Sequence, residues 1–172
     1  MKPTKAELRQ NLRQIRLSLS DGERRAWSQA IVEQLGGLID WPAVKTLNYF
    51  EPMHNLLEVD IRDFITGLED NYPDMRLSMP KLIGGTWELV SVRGAPAPDS
   101  FDVIIVPMLG FGPVSLHRIG YGGGYYDKFL AAQPQAKKIG VCFESGKLAD
   151  LPATDHDIAL DIVVTELSVY TR

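Results

Sequence analysis

The chain has 172 residues, 45% of them hydrophobic and 23% charged, with 18 Lys plus Arg against 22 Asp plus Glu and a net charge of −4. That length suits one compact domain, and the mild acidity argues against general nucleic-acid binding, which calls for a basic excess. A single cysteine, Cys142, cannot form an internal disulfide; no apolar run reaches the roughly 20 residues that span a bilayer, and the charged start lacks a signal-peptide core. The expectation is a cytoplasmic protein, with nothing demanding more than a monomer.

Charge is uneven. Residues 1–36 hold seven basic and four acidic groups, a local +3 against −7 for the rest, which favours a small anionic ligand over a polyanion. Leu8, Leu12, Ile15 and Leu19 recur at helical spacing and define a buried stripe. Lys5, Arg9, Arg13 and Arg16 form a second stripe about 90° away, at the edge of the buried face. Arg13 and Arg16 read best as a solvated basic face. Ser20 with Glu23 is a capping box opening a second helix, which Gly36 and Gly37 stop.

The pattern then alternates. Strands are expected over 44–50, 76–79, 86–92 (an edge strand after the Gly84-Gly85 turn), 101–107, 138–143 and 159–164, with helices over 58–68 and 125–132. Within the first of these helices Val59, Ile61, Phe64 and Ile65 face inward. The run FDVIIVP at 101–107 suits a strand covered on both faces. Together these predict a three-layer α/β/α sandwich with a mostly parallel central sheet.

Chemistry concentrates in RIGYGGGYYD, residues 118–127. Gly120, Gly122, Gly123 and Gly124 are more than a turn needs, and glycine lets backbone N–H groups approach a ligand closely. A helix follows directly, so its free N–H groups face the same space, which suits phosphate. The run is neither a Walker A loop nor a dinucleotide fingerprint. Asp127, in the first turn of that helix, and Asp157 could together hold Mg²⁺, although Asp127 also fits a plain helix-start acid. His54, His117 and His156 lack metal-ligand spacing, and Cys142 lies within an apolar strand and reads as core.

The residues at 118–127 resemble the R-L-G-x-G-x-G-Y-Y-D signature of the 5-formyltetrahydrofolate cyclo-ligase family. Lys5-Ala-Glu-Leu-Arg9 resembles its amino-terminal K-x-x-L-R, and Glu58-Val59-Asp60 its E-V-D-T segment. Val106 to Phe111 resembles V-P-G-L-A-F, and His156 to Glu166 resembles H-D-x-x-x-D-x-V-V-T-E. The resemblance implies ATP-dependent cyclisation of 5-formyltetrahydrofolate to 5,10-methenyltetrahydrofolate, with ATP as co-substrate and Mg²⁺ as cofactor. It implies ATP contacts from Lys5, Arg9, Arg118, Gly120, Gly122, Gly123, Gly124, Tyr125 and Tyr126, with Arg118 and Tyr125 nearest the chemistry. Folate would meet Met53, Glu58, Tyr121 and Tyr125, and Asp127 and Asp157 would serve the metal. The chain departs from the pattern between Leu82 and Phe101, where some 20 to 30 residues of the family's form are expected to be missing. Trp87 reads equally as a substitute for the family's folate-covering aromatic and as a strand core residue. An ATP-binding paralogue with another substrate and a non-catalytic phosphate or folate binder are the alternative readings.

Overall fold

The computed structural model describes residues 3–94, 96–149, 151–154 and 156–172. Lys2, one of the seven amino-terminal basic groups, and Asp155, beside His156, lie outside the described residues. Helix α1 (Lys5–Leu17) opens on Thr4, whose hydroxyl accepts from the Glu7 N–H while the Glu7 carboxylate accepts from the Thr4 N–H. Ser20 and Glu23 form the same reciprocal pair at the start of α2 (Asp21–Gly36), as their spacing predicts.

After α2 come strand β1 (Thr46–Asn48), helix α3 (Arg62–Asn71), the hairpin β2 (Arg76–Ile83) and β3 (Thr86–Ser91), and strand β4 (Val103–Pro107). The short pair β5 (Gly110–Phe111) and β6 (Arg118–Ile119) precedes helix α4 (Tyr125–Ala131), followed by β7 (Lys137–Val141), β8 (Ile162–Val164) and β9 (Val169–Thr171). Helix α3 starts later than the apolar spacing suggests. The Asp60 N–H donates to Ser28 Oγ on α2 at 3.0 Å, and Asp60 Oδ1 accepts from the Arg62 N–H, so residues before Arg62 are committed elsewhere. Val59 and Ile61 are still buried, but ahead of the helix. Strand β2 runs to Ile83 rather than Met79, because it pairs antiparallel with β3 from Ser78↔Ser91 to Ile83↔Thr86. Strands β5, β6 and β9 are too short to announce themselves by pattern.

The main sheet has the order β3-β2-β1-β4-β7-β8-β9. Its inner strands pair in parallel, and β3 and β9 run antiparallel at the two edges. Every residue of β4 is buried. Val103 and Ile105 pack on the side of α2 and α3, with Ile31, Leu35, Phe64 and Leu68. Ile104 and Val106 pack on the opposite side, with Leu130 of α4 and Phe111. That alternation makes the sheet the middle of three layers. Helix α1 sits apart from these clusters, its Leu8 and Leu12 against Leu109 and Ile119. No helix among the described residues is long and apolar enough to cross a membrane.

Strand order reverses between β1 and β4. From β1 the chain crosses through α3 to β2 on one side; from β4 it proceeds to β7 and β8 on the other. Crossovers then diverge and leave a crevice beyond the carboxyl ends of these two strands, where ligands of such sheets bind. Replacing Ser20 by Ala removes one half of the α2 cap far from that crevice. It should lower stability by about 1 kcal/mol, read as a lower urea midpoint with an unchanged slope.

Candidate functional site

A cavity of about 510 Å³ occupies that crevice. Phe50 and Glu51, just past β1, and Pro107, at the end of β4, form its floor. The glycine loop, the cavity-facing side of α1 and the β2–β3 hairpin supply its walls. Every site residue selected from the sequence borders this one space.

One end is cationic. Lys5 Nζ lies 2.5 Å from both carboxylate oxygens of Asp157, and Arg9 Nε donates to the Gly120 carbonyl at 3.0 Å. Arg118 is buried on β6, where Nη1 donates to the Ile158 carbonyl at 2.8 Å and Nη2 to Asp127 Oδ1 at 2.7 Å. Burial pulls the Arg118 guanidinium below its ordinary value, opposed by the Asp127 charge. Asp157 also accepts from the Thr154 N–H and hydroxyl. Burial pushes its carboxyl up, but hydrogen bonds from Lys5 and Thr154 outweigh this and hold it below the usual range.

The loop between these charges needs glycine at two places. Gly122 has φ +103° and Gly124 φ +67°, a region that costs other residues strain. A Cβ at Gly122 would also stand 3.6 Å from Arg9 Nε. Gly124 caps α4 without any side-chain bond, leaving the first N–H groups of that short helix uncapped. Space beside Gly120 and Gly123 is open: a Cβ at either position would meet no heavy atom within 4 Å.

The other end is aromatic and acidic. Tyr125 stacks on Phe129 with centroids 5.6 Å apart and meets Trp87 of β3 at 5.4 Å. Trp87 is 45% exposed, which corrects its reading as a core residue: β3 is an edge strand, and its indole covers the cavity mouth instead. Met53 is partly exposed, and its backbone N–H donates to Glu58 Oε2 at 2.7 Å. Glu58 is buried, and its Oε1 has no hydrogen-bond partner among the described residues. The Tyr126 hydroxyl is likewise buried and without a partner among the described residues. Tyr121 faces Glu58 and accepts a hydrogen bond from Arg16 Nη1 at 2.9 Å.

Arg16 corrects a second expectation. It is 5% exposed and not on a solvated face, because α1 rests against the 108–121 segment and carries that position inward. Arg13 is exposed as expected, reaching only the Tyr121 carbonyl at 3.4 Å. Cys142 is fully buried core. Among the described residues no three His, Cys, Asp or Glu side chains cluster as a metal site. Sequence reasoning missed Phe50, Glu51, Lys81 and Pro107. The carboxyl-end rule could have found Phe50 and Pro107, but only once the strand order was known.

Glu58 has a consequence for stability. Burial pushes its carboxyl above the ordinary range, against the Met53 N–H, Tyr121 and Arg16. A carboxyl raised on folding holds its proton longer in the native state, so stability falls as pH rises through and beyond the carboxylate range. Glu58→Gln keeps an acceptor for the Met53 N–H and removes this cost. It should stabilise the protein at pH 7 by on the order of 1 kcal/mol and flatten the decline with pH. Thermal melts across pH check this, and a lower melting temperature at pH 7 would show the carboxylate to be stabilising.

Residues 72–166 match the model of the 5-formyltetrahydrofolate cyclo-ligase family. The chain is 32% identical over 168 residues to the 5-formyltetrahydrofolate cyclo-ligase of Mycoplasma pneumoniae, covering 94% of this chain and 98% of that protein. The chain is therefore not shortened relative to this protein. Among solved structures, a 5,10-methenyltetrahydrofolate synthetase from Mycoplasma pneumoniae matches with a TM-score of 0.82 at 29% identity, covering 95% of this chain and 99% of that one. The Aquifex aeolicus 5,10-methenyltetrahydrofolate synthetase matches with a TM-score of 0.80 at 28% identity, covering 97% and 92%.

Proposed function

Since the chain belongs to the 5-formyltetrahydrofolate cyclo-ligase family, we propose that it converts 5-formyltetrahydrofolate and ATP to 5,10-methenyltetrahydrofolate, ADP and phosphate. One observation carries this reading: a single cavity has a cationic glycine cradle at one end and an aromatic wall with an unsatisfied buried carboxylate at the other. A triphosphate and a flat nitrogen heterocycle are the ligands that two such ends suit. Lys5 and Asp157, far apart in the chain, both border the site, which supports reading all 172 residues as one functional unit.

The formyl oxygen is a poor leaving group. Transfer of the γ-phosphoryl group to that oxygen, with release of ADP, turns it into a good one. N10 then attacks the formyl carbon, loses its proton, and phosphate departs as the new C–N bond becomes part of the methenyl bridge. In phosphoryl transfer the protein chiefly positions groups and balances spreading charge. Lys5, Arg9 and Arg118 set the positive field, and the amides of residues 120–124 cradle phosphate oxygens. Tyr125 and Tyr126 flank the two ligands where they meet. Met53 and Tyr121 line the folate, and Glu58 Oε1 accepts from a ring N–H, which satisfies its buried lone pairs.

The donor set fits a hard cation. Mg²⁺ takes one or two carboxylates together with phosphates and water. Asp127 offers an Oδ2 with no partner among the described residues, whereas both oxygens of Asp157 are engaged by Lys5 or Thr154. Asp127 would thus hold the ion directly and Asp157 beside it, and the ion when bound would neutralise charge on the phosphates.

The assay is the absorbance of methenyltetrahydrofolate with 5-formyltetrahydrofolate, ATP and Mg²⁺. A rise above the enzyme-free control is expected; no rise would overturn the reading, and ADP formation without it would point to another acceptor. Gly123→Val fills the open space of the cradle without backbone strain and should raise the KM for ATP at least tenfold with little change in melting temperature. Normal ATP use in that variant would remove the triphosphate from the loop. Asp127→Asn still accepts from Arg118, so it should fold normally while needing several-fold more Mg²⁺ for half-maximal rate. A loss of stability with an unchanged Mg²⁺ requirement would make Asp127 a helix-start acid only.

A further inference from the structure

Arg16 is a buried guanidinium that the proposed chemistry does not use. Its Nη2 donates to the Met108 carbonyl and its Nη1 to Tyr121 Oη at 2.9 Å, while the guanidinium lies 5.9 Å from the Phe143 ring centroid. No carboxylate forms a direct ion pair with it among the described residues. A buried charge costs several kcal/mol unless it is compensated. The carboxylate that shares the cavity wall with Tyr121 is that of Glu58.

Arg cannot accept a hydrogen bond, so the Tyr121 oxygen must be the acceptor in this contact. Its one proton is then free to point only away from Arg16. We propose that Arg16 is a positioning residue: it fixes the Tyr121 hydroxyl in the cavity wall that Tyr121 shares with Glu58, at the end that receives the folate ring. The bond to Met108 O ties the same guanidinium to the chain just after β4, so Tyr121 is referenced to the sheet and not only to its own loop. Burial also keeps the Tyr121 hydroxyl protonated, well above its ordinary range.

This inference rests on the folate reading given above, and the test separates the two. The equilibrium binding of 5-formyltetrahydrofolate and the KM values for folate and ATP are measured in Arg16→Met, Arg16→Lys, Tyr121→Phe and the double variant Arg16→Met with Tyr121→Phe. Arg16→Met should weaken folate binding about tenfold and leave the KM for ATP within twofold, and Arg16→Lys should recover part of the loss. In the Tyr121→Phe background Arg16→Met should add no further loss, since the hydroxyl through which it acts is gone. Equal losses in folate and ATP, or a full further loss in the Tyr121→Phe background, would make Arg16 merely structural. If Arg16→Met does not fold, Arg16→Lys in the two backgrounds reads the same coupling. Folate binding unchanged in every Arg16 variant overturns the inference alone, whereas a wild-type protein that binds no folate overturns the reading beneath it.

Discussion

The site depends on a helix that the sheet does not hold. Helix α1 packs its leucines on Leu109 and Ile119 and presents its polar edge to the glycine loop. From that edge Lys5 pairs with Asp157, Arg9 ties the Gly120 carbonyl, and Arg16 reaches Tyr121 and Met108. The Arg9 contact fixes the loop from one side while the Arg118–Asp127 pair fixes it from the other. A loop rich in glycine has a large conformational entropy to lose, and such bracing from both sides holds its amides facing one direction.

The electrostatics follow from this placement. Three cations meet at one end of the cavity, and the carboxylates beside them are neutralised partners rather than competitors for an anion. At the other end Glu58 is buried with one oxygen unsatisfied, a cost of the kind that proteins carry where a ligand will supply the missing partner. On the function proposed above, the same residue weakens the empty protein and serves the occupied one. Trp87 and Tyr125 add an aromatic wall to the cavity.

Much of this is legible in the chain itself. The glycine run, the two capping boxes and the continuous apolar strand β4 each follow from local chemistry that needs no tertiary context. Arg16 is not legible, because its position on the helix wheel is marginal; whether a border residue is wet depends on what lies over it, here the segment after β4. Trp87 is ambiguous for a similar reason: even on an edge strand one face packs inward and the other outward, and alternation alone leaves open which face the indole takes. The start of α3 escapes the pattern because Ser28 on α2, more than thirty residues earlier, holds the Asp60 amide and so sets the path of the chain into the helix. Phe50 and Pro107 become identifiable as cavity floor only when β1 and β4 prove to be neighbours at the reversal of strand order.

The pairing of Lys5 with Asp157 joins positions separated by 152 residues. Contacts so remote in sequence close late, since the intervening chain must first find its place. During synthesis the first helix therefore emerges long before its ionic partner exists, and its leucines wait for Leu109 and Ile119 to cover them. Any premature stop before residue 157 removes at once a lining residue of the cavity and the two strands, β8 and β9, that complete the sheet on that side.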